Sequence, residues 1–198
     1  MDKDNIIAFI KQHAEIDIFY ECILGHDAWY FKRIDDHSAA KKYDDFKRFI
    51  SKKLNIPFNN IAIVGSAKTK FSFSPTEKCL REFGDDSDLD LILVSKDMYR
   101  LIWNAYKELS ATIKLKNYNN KCSNIFNGFI SIKDNDDDYG HDDIKRWKQK
   151  IGEFKAELQF KFDVKHEINY RIYTDWESVQ HYHLRGITKL KEIINETH

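Results

Sequence analysis

Apolar positions along this chain follow two periods, one typical of helices and the other of buried strands. Spacing of three to four residues predicts helices over about Asp4–Leu24, Ser38–Leu54, Asp97–Leu115, Asp142–Leu158 and Asp175–Glu196. Short apolar runs predict strands at Ile61–Val64 and Asp88–Val94, and a third is expected at Glu167–Tyr173. The order of elements is typical of an α+β or mixed α/β protein.

The predicted architecture is a small mixed sheet backed by helices, with helical additions at both ends of the chain. A length of 198 residues suits a single domain. Within it we expect a helical N-terminal addition over 1–56, a core over 57–174 that carries the chemistry, and a C-terminal helix over 175–198.

Composition limits the classes of partner. Lys plus Arg and Asp plus Glu both number 32, so the net charge is +0. This balance argues against non-specific binding to a long duplex, which needs a basic face, but not against a small nucleotide or a short strand.

The expected location is the cytoplasm. The N-terminus lacks the layout of a signal peptide, and no apolar run approaches the ~20 residues of a membrane span, so we expect no direct membrane insertion. Cys22, Cys79 and Cys122 are far apart and match no zinc or thiol-redox spacing, which favours reduced thiols.

Two carboxylates open the second predicted strand. Asp88 and Asp90 are two residues apart, so their side chains project from the same face, while Leu89, Leu91 and Leu93 fill the other. Two close carboxylates repel each other unless a cation lies between them or one is protonated. Hard oxygen ligands suit Mg²⁺, and Mn²⁺ is an alternative.

The first predicted strand ends in a Gly-Ser turn. Gly65 permits close approach of the backbone to a phosphate, and the Ser66 hydroxyl can donate to it and cap a helical turn that begins at Ala67. Lys68 is near enough in sequence to add positive charge. A lone Gly-Ser turn or a lone Asp-x-Asp is usually structural, but the two in this order favour a triphosphate held beside a metal.

These motifs resemble the signature of the DNA polymerase beta-like nucleotidyltransferase superfamily, in which a strand ending in Gly-Ser precedes an Asp-x-Asp strand. Gly65, Ser66, Asp88 and Asp90 match it, and Ser87 is common before the first carboxylate. The resemblance covers about residues 60–95. It implies that Asp88 and Asp90 bind the metals and that Gly65 and Ser66 contact the triphosphate.

The family also expects a third carboxylate on a later strand, and here the sequence leaves alternatives. Glu167 is the first choice as a metal and catalytic ligand, Asp163 is the second, and an acid of the Asp134–Asp138 loop is the third. If none serves, the site would bind a nucleotide without turnover. Arg171, on the same face as Glu167, is a candidate phosphate ligand or a partner in a structural ion pair.

The resemblance implies transfer of a nucleoside monophosphate from an NTP or dNTP to a hydroxyl acceptor, with release of pyrophosphate. The chain resembles the minimal bacterial members found in anti-phage and toxin–antitoxin modules, including the nucleotidyltransferases of Hailong defence systems. Such enzymes make short oligonucleotides that control a membrane effector. Two alternatives stay open: an antitoxin-type enzyme that nucleotidylates a partner protein such as a toxin, and a non-catalytic nucleotide sensor.

Two histidines could bind a metal and two tyrosines could stack on a base, but the sequence pattern favours neither role. His181 and His183 diverge on a helix, and His183 falls on its apolar stripe, which favours packing over metal binding. Tyr170 and Tyr173 could stack on a base, but packing is the more common role of such residues.

Overall fold

A computed structural model describes residues 2–76 and 80–197. The helices in these ranges are α1 (Lys3–Gln12), α2 (Glu15–Phe19), α3 (Trp29–Lys32), α4 (Ala39–Leu54), α5 (Ser66–Thr69), α6 (Lys96–Ser110), α7 (Tyr118–Phe126), α8 (Asp142–Phe162) and α9 (Trp176–Thr197). The strands are β1 (Ile61–Val64), β2 (Leu89–Val94), β3 (Phe129–Ile130) and β4 (Ile168–Tyr173). A π-helical turn (Tyr20–Leu24) follows α2, and a 3-10 turn (Phe58–Asn60) precedes β1.

The four strands form one mixed sheet in the order β1-β2-β4-β3. β2 is antiparallel to β1 and parallel to β4, and β3 is antiparallel to β4. The predicted α+β class, with a small sheet backed by helices, is therefore confirmed.

Alternation along the strands divides the core into two layers. Leu89, Leu91 and Leu93 pack with residues of α3, α4, α6 and α8 on one face. Ile92 and Val94 pack with residues of α1, α2 and α9 on the other face. The sheet is therefore covered by helices on both sides, which explains why all four residues of β1 are buried.

The N-terminal helix predicted over Asp4–Leu24 is wrong as a single element. The chain leaves the helix at His13, whose backbone N–H donates to the Phe9 carbonyl at 3.1 Å. Lys191 of α9 donates to the His13 carbonyl at 2.7 Å and so holds the break. The change of direction brings α2 against α9, which buries Phe19.

Helix α7 and strand β3 are among the elements that were not predicted. The segment of α7 is rich in Asn, and β3 has only two residues, so neither carries a clear apolar period. β3 forms because it pairs with β4, a contact distant in sequence. The C-terminal helix begins as expected, with Asp175 accepting a hydrogen bond from the Ser178 N–H at 2.7 Å.

In the part of the chain that the structure describes, no helix combines the length and apolar content needed to cross a membrane. Cys22 is half-buried and Cys122 is exposed, and both are free thiols. Cys79 lies outside the described residues.

Candidate nucleotide and metal site

The Gly-Ser turn lies directly against Asp90. Gly65 has a φ of 70°, and a Cβ atom there would lie 3.1 Å from Oδ2 of Asp90. Val64, the preceding residue, is the register partner of Asp90 across the β1–β2 pair. Helix α5 begins at Ser66 with Gly65 as its N-cap, so Ser66 is the first helical residue rather than the predicted cap. The two sequence motifs therefore meet in one place.

Asp90 is a half-buried carboxylate without a direct partner. Among the described residues none donates a hydrogen bond to it or lies within ion-pair distance of 4.0 Å. Burial raises the pKa of Asp90, with Asp88 raising it further and Arg171 opposing the shift. Asp88 is exposed and lies just before β2, which starts at Leu89 rather than at the predicted Asp88. A cation would stabilise both charged carboxylates.

A cavity of about 310 Å³ opens between this end of the sheet and α9. The sheet contributes Gly65, Asp90 and Arg171 to its lining, and α9 contributes Arg185 and Lys189. The cavity thus has an acidic group at the Gly-Ser turn and three cations in its wall. This distribution of charge suits a polyphosphate that carries a divalent metal ion.

Arg171 is held by aromatic rings rather than by a carboxylate. Its guanidinium lies 5.6 Å from the ring centroids of both Phe129 and Tyr182. No acid in the described ranges lies within 4.0 Å of it. Burial alone would lower the pKa of Arg171, but Asp90, Tyr173 and Tyr182 together outweigh burial and raise this pKa. Arg171 is therefore a charged, positioned donor in the cavity wall, consistent with its predicted contact to phosphate.

Three cavity residues of α9 were not singled out from the sequence. Tyr182, Arg185 and Lys189 are spaced by three and four residues, so they share one face of the helix. Arg185 also donates to Oδ1 of Asn127 at 2.7 Å, which ties α9 to the end of α7. This polar stripe beside the apolar stripe was the signal that could have found them.

His183 packs as predicted and also lines the cavity. Its ring lies 6.4 Å from Phe19 and 5.3 Å from Tyr182, measured between centroids. Burial lowers the pKa of His183 to about 3, and Arg171 adds to this shift. Its Nε2 is buried and has no hydrogen-bond partner among the described residues. The ring is therefore neutral at physiological pH and does not serve as a cationic phosphate ligand.

Lys68 does not line the cavity. Its side chain is buried, its ammonium donates to the Gly25 carbonyl, and it lies 5.4 Å from the ring centroid of Tyr43. Burial lowers the pKa of Lys68 to about 8. The predicted contact with substrate is therefore replaced by a structural contact, because α5 turns this side chain away from the Gly-Ser turn.

Replacing Lys68 by methionine should leave the affinity for a nucleoside triphosphate within about twofold, because the ammonium lies outside the cavity. It should also change the pH dependence of stability. Because the folded-state pKa is below the usual value, the wild-type free energy of unfolding should rise between about pH 8 and pH 10.5. K68M should lose this rise in chemical denaturation measured across that range. A large loss of nucleotide affinity in a folded K68M protein would contradict the assignment.

Ser87, predicted to bind substrate, is buried in the turn before Asp88. Its hydroxyl accepts from the Gly84 N–H at 3.0 Å. Its carbonyl lies 2.8 Å from Nδ1 of His166, which is therefore the donor, and Arg33 approaches Nε2 of the same ring at 3.3 Å. Ser87 thus supports the backbone that carries Asp88 rather than lining the cavity.

The predicted three-carboxylate metal site is not assembled in this structure. Glu167 is exposed and precedes β4, where its carbonyl accepts from the Leu89 N–H at 2.8 Å. Within residues 2–76 and 80–197, no three side chains of His, Cys, Asp or Glu are grouped closely enough to hold a metal ion. Asp88, Asp90 and Glu167 therefore do not form such a group.

The alternative acids lie elsewhere. Asp134 pairs with Lys155 at 2.6 Å, and Asp136 pairs with Lys121 at 3.4 Å. Burial raises the pKa of Tyr170, and both acids raise it further. Tyr170 packs on the face of β4 opposite to the cavity. Asp163 ends α8 in the left-handed conformation and is exposed.

The residues present fit a single magnesium ion without a third acid. Mg²⁺ takes one or two protein carboxylates and completes its shell with substrate phosphates and water. Asp90 offers an unpartnered carboxylate, Asp88 adds negative charge two residues before it in the chain, and the missing side chain of Gly65 keeps the adjacent space open.

Comparisons of the chain with protein-family models, with curated proteins and with solved structures found no match. The functional interpretation therefore rests on the site itself and on the resemblance of its two motifs.

Proposed function

We propose that this protein is a cytoplasmic, Mg²⁺-dependent nucleotidyltransferase that uses an NTP or dNTP. One observation carries the proposal: Gly65 of the Gly-Ser turn lies in contact range of Asp90, at a cavity that also contains three cations. A triphosphate bound there would have a backbone turn and basic side chains for its oxygens, and carboxylates for its metal ion.

The chain's own groups would divide the work of the reaction. Arg171, Arg185 and Lys189 would bind and orient the phosphates, and Asp88 with Asp90 would hold the ion. Magnesium, when bound, supplies Lewis-acid stabilisation of charge on the phosphoryl oxygens. Attack by an acceptor hydroxyl forms a new oxygen–phosphorus bond at the α-phosphate. The bond to the bridging oxygen breaks, pyrophosphate leaves, and the hydroxyl proton passes to water.

The acceptor defines the biological role that we propose. A nucleotide or a growing oligonucleotide as acceptor would yield an anti-phage signal for a membrane effector. A hydroxyl on a partner protein such as a toxin would instead make the enzyme an antitoxin. Mass spectrometry of a co-expressed protein from the adjacent gene distinguishes the two roles. Only an antitoxin-type enzyme would add the mass of one or more nucleotides to that protein.

The direct test is incubation of the purified chain with each labelled NTP and dNTP in Mg²⁺ or Mn²⁺. Release of pyrophosphate together with a nucleotide-containing product would support the proposal. If no nucleotide gives a product, even when the protein encoded by the adjacent gene is added as an acceptor, catalysis is contradicted.

The second candidate function is a non-catalytic nucleotide sensor. It is favoured by the absence of a third acidic side chain beside Asp88 and Asp90 among the described residues. Tight binding of a triphosphate without release of pyrophosphate, under the same conditions, would identify this function.

The basic side chains of α9 should contribute to triphosphate binding whether the protein is an enzyme or a sensor. Lys189→Gln should weaken triphosphate binding about tenfold, because a charge-assisted hydrogen bond contributes roughly 1.5–3 kcal/mol. Lys145→Gln removes another exposed lysine, from α8 on the other side of the sheet, and is the matched control. Titration with a fluorescent non-hydrolysable triphosphate measures both. Equal losses in the two variants would mean that only net charge matters.

A further inference from the structure

The residue directly beside Asp90 in the sheet is Asn169. The parallel register pairs Asp90 with Asn169 and places Arg171 two residues further along β4. Side chains two residues apart project from the same face of a strand, so Asn169 shares the face of Arg171, which lines the cavity. On its other side Asp90 has only the apolar Val64. Asn169 is therefore its one polar neighbour in the register.

The side chains of Asp90 and Asn169 do not hydrogen-bond to each other. Asn169 is half-buried, and its amide makes no hydrogen bond to any residue in the described ranges. The same holds for the carboxylate of Asp90. Asp90 and Asn169 are therefore adjacent, half-buried polar side chains without protein partners among the described residues, in a sheet whose other central residues are mostly buried and apolar. A divalent cation would bind an oxygen of each.

In the metal-free protein an amide suits this position better than an acid. Asn carbonyl oxygens coordinate hard divalent cations as carboxylates do, but carry no charge. A third carboxylate here would add another negative charge beside Asp88 and Asp90, which already repel each other when no cation is bound. Arg171 supplies part of the missing counter-charge from the same strand.

We propose that the amide oxygen of Asn169 is the third protein ligand of the metal ion, in the place where Glu167 was expected. This inference rests on the proposed function, since it concerns the ion held by Asp88 and Asp90. It leaves the exposed Glu167 outside the set of ligands and explains how the site completes its protein ligands without a group of three acids.

The test is a titration of the full chain with Mn²⁺ alone, followed by electron paramagnetic resonance, in the absence of nucleotide. Asn169→Ala should weaken Mn²⁺ binding about tenfold, the lower end of the loss expected when the surroundings of a metal are altered. Asn169→Asp, which keeps the shape and replaces a neutral oxygen ligand with a charged one, should bind Mn²⁺ more tightly than the wild type. The Mn²⁺ affinity of Glu167→Gln should stay within about twofold of the wild-type value.

Thermal unfolding without metal separates ligation from folding. Asn169→Asp is nearly isosteric with the wild type, so its Mn²⁺ affinity remains informative even if Asn169→Ala is unstable. Wild-type affinity in both Asn169 variants, or a loss in Glu167→Gln equal to that of Asn169→Ala, would overturn the inference.

Asp90→Asn distinguishes this failure from failure of the proposed function. If Asp90→Asn loses Mn²⁺ while the Asn169 variants keep it, the metal site stands and the role of Asn169 falls. If Asp90→Asn also binds Mn²⁺ like the wild type, both proposals fall.

Discussion

Replacing Asp90 by asparagine should lower the rate of nucleotidyl transfer about 10³-fold, a loss comparable to removing a key charge-stabilising group from an active site. Asp90 is the carboxylate in contact range of Gly65, and both groups line the cavity. The amide would keep the shape of the side chain but not its charge, so the metal ion and its triphosphate would lose their main anionic anchor. Release of pyrophosphate under saturating nucleotide measures the effect.

The same substitution should make the protein more stable. Burial raises the pKa of Asp90 in the folded state, so the cost of its charge appears as the pH rises from about 4 through that raised value. At pH 7 the wild type carries this cost and Asp90→Asn does not. Added Mn²⁺ should raise the melting temperature of the wild type but not that of the variant.

Asp86→Asn is the matched control, because Asp86 is exposed and lies two residues before Asp88. It should change neither activity nor melting temperature. A fully active Asp90→Asn protein, or one that Mn²⁺ still stabilises, would remove Asp90 from the site.

The sequence was sufficient to predict that the two motifs of the candidate site belong to neighbouring strands, because both lie on short, buried strands. The apolar runs before Gly65 and after Asp90 predict strands that are covered on both faces, and alternation then fixes the face on which Asp90 lies. The antiparallel pairing of these strands brings Gly65 and Asp90 together although 25 positions separate them in the chain.

The rest of the cavity depends on contacts that no local pattern specifies. Arg185 and Lys189 reach the site only because α9 packs across the sheet, a contact between distant segments. Asn169 was passed over because the sequence does not reveal the register between β2 and β4, and a shift of two residues would put Glu167 beside Asp90 instead.

Lys68 shows why nearness in sequence did not predict nearness to substrate. It lies two residues after Ser66, but these residues belong to a helical turn rather than an extended loop. Successive side chains on a helix diverge, so Lys68 points to Gly25 on the far side of the turn. The N-terminal helix was predicted too long for a related reason, because the break at His13 is fixed by Lys191 from the other end of the chain.

Replacing Gly65 by alanine should lower kcat/KM for the triphosphate by about 10²-fold or more, as expected when the geometry at the reacting centre shifts by about 1 Å. The new Cβ would lie 3.1 Å from Oδ2 of Asp90, tighter than ordinary contact, so the carboxylate or the turn must move. Positive φ adds roughly 1–2 kcal/mol of strain to the folded state. Steady-state kinetics and chemical denaturation together measure the two effects.

Gly140→Ala separates strain from the contact with Asp90. Gly140 also has a positive φ, of 72°, but a Cβ atom there would meet nothing within 4 Å. The two variants should therefore lose similar stability from the backbone, while only Gly65→Ala loses catalysis and Mn²⁺ affinity. If both kept full activity, contact between the Gly-Ser turn and Asp90 would have no role in the reaction. If both lost activity in step with stability, the loss would report folding rather than the site.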